Sequence, residues 1–140
     1  MSIDISDFFK PNEIKDISVA EDYIKIQPFV KTAEAFSQIT HQSIYIIDYY
    51  KRGFSFVSDN PLFLCGETAA SVLKQGYLFY LNHVPDTDLK LLLEINEAGF
   101  KFYKNLPIKE RLNYMISYDF HLIQKNKDLL LINHKLTPLI

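Results

Sequence analysis

The chain has 140 residues, 48% of them apolar, with 11 Phe and 9 Tyr but no Trp, so one domain can bury roughly two-thirds of its unfolded surface. Fifteen Lys plus Arg against 17 Asp plus Glu leave a net charge of -2. The cations are dispersed, with no stripe of the kind that displaces counterions from phosphates, which argues against direct nucleic-acid binding.

Residues 1–17 carry no strong pattern and are expected to form a loose arm. Ser18 and Glu21 have capping-box spacing, a hydroxyl and a carboxylate placed to satisfy the first free amides of a helix. Pro28 lacks an amide donor and either starts a second helix or kinks the first. Phe29, Val30, Ala33, Phe36 and Thr40 then recur at helical spacing, an amphipathic face that needs a surface to cover.

"SIYIIDYY" and "FSFVSD" are rich in β-branched and aromatic residues and flank "KRG". They predict a hairpin, with Gly53 as the residue able to take a positive φ. Asp59 or Asn60 can cap the next turn, Pro61 suits its first helical position, and Gly66 can close it. Thr68 is placed to cap "AASVLKQ", with Gly76 ending that helix. The longest helical pattern follows Pro85, with Asp86 or Thr87 as cap. Leu91, Ile95, Ala98 and Phe102 form one stripe on it; Leu89, Leu92, Asn96, Phe100 and Tyr103 form a second. Gly99 permits close approach and Pro107 stops the element. Two more strands, "YMISYDFHLIQ" and "DLLLINHKL", surround Lys125-Asn126-Lys127. A two-residue turn at Asn126-Lys127 predicts Lys125 opposite Asp128 and Asp119 opposite His134, a structural polar pair. Neither strand alternates cleanly, which predicts that both sheet faces are at least partly covered, the long and short helices taking one and the N-terminal helix the other, within the monomer or across a dimer.

This order resembles a PAS domain, a sensory fold with helices on one face of a five-stranded antiparallel sheet. "IYIIDYYKRGFSFVSDN" resembles the first PAS hairpin and its following Asn. "LFLCGETAASVLKQG" resembles the short helices, and "HVPDTD" the His-Pro-Asp-Asp opening of the long helix, here with Val84 inserted. "YIIDYYKRGFSFVSDNPLFLCG", "GYLFYLNHVPDTDL", "NEAGFKFY" and "ISYDFHL" are similar to the N-terminal sensory region of LuxR-type transcriptional regulators of Bacteroides-like bacteria. The resemblance covers about residues 25–140. It implies an α+β fold, with residues 1–40 as arm and amphipathic helix and residues 41–140 as a PAS-like core. It also implies a partner, a C-terminal helix-turn-helix DNA-binding domain on the same polypeptide, absent from these residues. Only four strands are countable, so either Ile3 to Phe9 supplies a fifth or the chain stops before it.

Cys65, the single cysteine, excludes an internal disulfide and fits a reducing compartment. With no cationic neighbour in sequence, it reads as a small buried residue rather than a reactive thiol. Acidic residues near the N-terminus do not suit a signal peptide, and no stretch approaches a membrane span of about 20 apolar residues, so a cytoplasmic protein is expected. His41, His83, His121 and His134 have no metal-ligand spacing. No Gly-x-Ser-x-Gly elbow and no phosphate-cradling glycine loop occur. No enzyme activity, cofactor or metal is therefore expected. Tyr77, Phe79 and Tyr80 are the candidate lining of a pocket for an unidentified small molecule, and Phe29, Val30, Ala33 and Phe36 the candidate homodimer or interdomain contact. The leading expectation is a sensory module; an interaction module without ligand is the second and a small α+β enzyme the third.

Overall fold

Local signals set most of the element boundaries. The computed structural model describes residues 2–10 and 19–139. Its elements are α1 (Val19–Ile39), β1 (Tyr45–Asp48), β2 (Gly53–Val57), α2 (Pro61–Leu64), α3 (Ala69–Gln75), α4 (Leu78–His83), α5 (Asp86–Lys104), β3 (Ile116–Ile123) and β4 (Leu129–Leu136). This is an α+β fold. Asn60 caps α2 by accepting from the Leu62 amide, with Pro61 at the first position. Thr68 caps α3 by accepting from the Ser71 amide at 3.1 Å. Thr68→Ala is expected to lower stability by about 1 kcal/mol, and Thr68→Ser to restore it, by the urea midpoint.

The capping expectation at Ser18 lies outside the described residues. α1 runs unbroken through Pro28. The proline leaves the Ile24 carbonyl without its helical donor, and Ile24 sits on the solvent side, 72% exposed, where water can supply one. α1 packs along β2, anchored by Tyr23, whose hydroxyl donates to Asp48 Oδ2 at 2.7 Å while Lys51 lies over its ring.

β1 and β2 form one antiparallel hairpin with an irregularity after Ile46. Arg52, not Gly53, takes the left-handed conformation of the turn, at φ 55°. Gly53 lies against the α3–α4 junction, where a Cβ would sit at an ordinary 3.6 Å from Gly76 Cα. β3 and β4 form a second hairpin, separate from the first. The single five-stranded sheet expected from the resemblance is therefore present as two two-stranded units among the described residues.

Three further expectations are corrected. The β3–β4 turn has three residues, with Lys127 N–H donating to the Gln124 carbonyl and Lys127 at φ 74°. That slips the register by one, so Asp119 faces Asn133 and Tyr118 faces His134. Because side chains alternate, Asp119 and His134 fall on opposite faces and form no pair. Second, residues 2–10 are no loose arm or substitute strand, while residues 11–17 of the expected arm lie outside the described residues. Ile5–Phe8 is a 3-10 turn capped by Asp4, and Phe8 and Phe9 are buried in the core. The Asn96 amide holds the Phe8 carbonyl at 2.6 Å. Third, among the described residues nothing covers the outer face of β3–β4, with Leu129 and Leu131 exposed.

The core lies between the hairpins and the helices. Tyr118, Phe120 and Leu122 of β3 meet Phe54, Phe63, Val72, Phe79, Leu89 and Leu92. Of the two α5 stripes, Leu89 and Leu92 lead the buried one, while Leu91 and Phe102 are half exposed. Gly99 brings α5 against β3, since a Cβ there would meet Ile116 Cδ1 at 2.8 Å.

Candidate functional site

Tyr77, Phe79 and Tyr80, expected to line a pocket, stand in the densest part of the core. Phe79 is wholly buried, and Tyr77 and Tyr80 nearly so. The Phe79 ring lies 5.0 Å from Phe63, and Tyr77 5.0 Å from Tyr80 in edge contact. The spacings are those of ordinary aromatic packing. Burial pushes both tyrosine phenols well above their usual range, so they are neutral hydroxyls, and Tyr80 donates to Tyr45.

His134 completes this cluster. Its ring stacks on Tyr45 at 5.2 Å and meets Tyr118 and Phe120 edge-on. Burial lowers it to about 4, so at neutral pH it is uncharged and Nδ1 accepts from the Tyr118 hydroxyl at 2.5 Å. Asp119, its expected partner, accepts from the Asn133 amide on the exposed face.

Cys65 is fully buried in the left-handed cap of α2. Burial, with Glu67 nearby, pushes its thiol up to about 11, which keeps it protonated and unreactive. No group of His, Cys, Asp and Glu suited to a metal occurs among the described residues.

The surfaces are less fully used than the interior. On α1, Val30 and Ala33 are half-buried, while Phe29 and Phe36 lie at the flank of that face, 39% and 55% exposed. The four residues thus form a partly covered stripe with an aromatic rim. An open groove of about 280 Å³ runs between α5 and β3, lined by Ile95, Ala98, Gly99, Phe102, Ile116, Ser117 and Tyr118. Polar contacts hold β3 further along at His121 and Ile123. The His121 amide and Nδ1 both meet Asp88 Oδ2, at 2.6 and 2.9 Å. Burial favours the neutral Asp88 carboxyl, but these contacts outweigh it and lower it. His83 Nδ1 meets the Ile123 carbonyl at 2.9 Å.

Sequence reasoning missed the Asp88–His121 and Glu67–His83 contacts. Both join residues far apart in the chain, and the one local signal, an acidic residue in the first turn of α5, has a ready alternative as a helix-dipole charge.

No helix among the described residues is long and apolar enough to cross a membrane. Compared with known proteins, the chain matches no family model, no curated protein and no solved structure.

Proposed function

We propose that the chain is a PAS-like regulatory module of a LuxR-type transcriptional regulator, cytoplasmic and non-enzymatic, that passes a signal to a helix-turn-helix domain on the same polypeptide. The observation that carries this reading is the order of elements: hairpin, Asn-capped α2, Thr-capped α3, α4, long α5 and a second hairpin. It supports the PAS-like assignment because caps and glycines fall at the resembling positions.

A specific observation favours the second reading, that the signal arrives through protein contact rather than an internal ligand. The residues expected to line a pocket are filled core, whereas apolar side chains stay exposed on α1. In this mechanism a partner or second copy shifts α1 against β2. It acts only by its differential affinity for the two arrangements. Native mass spectrometry of the purified chain is expected to give bare protein mass; a retained small molecule would restore the ligand reading.

The dimer contact is tested at Phe36, exposed enough for replacement without unfolding. Phe36→Glu is expected to convert a dimer to monomer by light scattering, with circular dichroism unchanged; an unaltered mass in the folded variant rejects α1 as the contact. Reading the gene past the codon for Ile140 tests the DNA-linked function. An open frame reaching a helix-turn-helix supports it, and a stop codon removes it.

A further inference from the structure

His83 ends α4 with both ring nitrogens facing acceptors. Nδ1 lies 2.9 Å from the Ile123 carbonyl oxygen, and Nε2 lies 2.5 Å from Glu67 Oε2. A carbonyl oxygen can only accept, so Nδ1 carries a proton. Nε2 and the carboxylate then need a second proton between them, because two lone pairs cannot face each other at that distance. The other carboxylate oxygen accepts from Ser71 Oγ at 3.1 Å and Gln75 Nε2 at 2.5 Å. Those donors favour an ionised Glu67. Burial works the other way, but with His83 they outweigh it and lower the carboxyl. The second proton therefore belongs on Nε2.

We propose that His83 is an imidazolium clasp, built to join the α2–α3 turn to the outer edge of β3, and that it opens when its second proton leaves. This rests on contact geometry and holds whether or not the chain is a sensory module.

The charged and polar groups around the contact come from each element packed against it. From the α2–α3 side the facing charge is Glu67, with the Cys65 thiol behind it held neutral. From the second hairpin come the Ile123 carbonyl and the Gln124 amide, which contacts Cys65 Sγ. The Lys125 stem packs at Gly66, next to Glu67. From α5, Asp88 is turned to His121. On α4 itself the neighbours are the Phe79 ring, 4.7 Å from the imidazole, and the Asn82 amide, which binds Gln75.

The sign follows from proton counting. The clasped contact needs a proton on Nε2 that a ring released by unfolding need not hold. Folding thus binds more protons than unfolding, and stability falls as pH rises, by at most about tenfold in the unfolding constant per pH unit. His134 slopes the other way, since it is neutral in the fold down to about 4, so its contribution is lost on acidification.

The test compares wild type with Glu67→Gln from about pH 5 to about pH 9, across the imidazole range. A glutamine amide donates to a neutral His83 Nε2 and its oxygen still accepts from Ser71 and Gln75, so the clasp survives with one proton fewer. Wild type is expected to lose several-fold or more in folding constant relative to Glu67→Gln as pH rises. Nitrogen-15 NMR of the wild-type ring is expected to show two N–H groups at the acid end, with the second lost over the same interval. Parallel stability profiles for the two proteins, or a single ring N–H at the acid end in the folded chain, overturn the proposal. If Glu67→Gln does not fold, the wild-type ring N–H count decides alone.

Discussion

Phe79→Ala is expected to destabilise the fold by about 3–5 kcal/mol, the range for emptying a buried aromatic site. Phe79 has no exposed surface and is held between the rings of Phe63, Tyr80 and His83. None of those rings can follow it into the space without giving up its own contacts. A domain of this size has about 5–15 kcal/mol in total, so the variant should lie near the edge of folding, with a much lower urea midpoint and an unchanged m value. Leu78, one residue earlier and 48% exposed, is the control. Leu78→Ala should cost under about 1 kcal/mol. The comparison also bears on function. If Phe79 lined an existing ligand cavity, its truncation would only enlarge an empty space and cost well under the core value. A loss of less than about 2 kcal/mol would return the Tyr77, Phe79 and Tyr80 group to the status of pocket lining.

How far the fold could be read from sequence depended on whether the deciding interaction was local. Asn60, Pro61, Thr68 and Gly76 act within one turn of themselves, so α2 begins, and α3 begins and ends, where those residues predict, while α2 is capped by left-handed Cys65 rather than closed by Gly66. Gly99 was legible for the same reason, as a gap in an otherwise apolar helix face. The β3–β4 register was not, because one residue in the turn decides it. Lys127 takes the left-handed position that glycine or asparagine usually signals. That slip removed the Asp119–His134 pair and put Tyr118 beside His134 instead. The docking of Phe8 and Phe9 was hidden because it depends on an Asn96 contact 88 residues away. The second sheet face, expected to be covered within the monomer or across a dimer, has no cover among the described residues, for a different reason. Leu129 and Leu131 look like core residues in the sequence, yet no described element packs over them. Their apolarity is a fact of the sequence that the packing of the described residues does not use.

Gly76→Ala is the second large effect, expected at about 1–3 kcal/mol, and it depends on backbone geometry rather than lost contacts. Gly76 closes α3 at φ 56° and ψ -134°, a region that a side chain makes costly because Cβ crowds its own backbone. A Cβ there would also come within 3.3 Å of both the Arg52 carbonyl oxygen and Gly53 Cα. These are backbone atoms in the β1–β2 turn and cannot swing aside as a side-chain tip can. The α3–α4 junction and the first hairpin therefore touch backbone to backbone, glycine to glycine. Gly53 shares the contact but has no positive φ, and a Cβ on it would meet Gly76 Cα at 3.6 Å, an ordinary distance. Gly53→Ala should accordingly change stability by less than about 1 kcal/mol, helped by the lower entropy of the unfolded chain. Urea denaturation of the two variants separates the explanations. A large loss at 76 with little at 53 identifies backbone conformation as the constraint. Equal losses would mean that the contact alone matters and that the strained φ at Gly76 is not what requires glycine there.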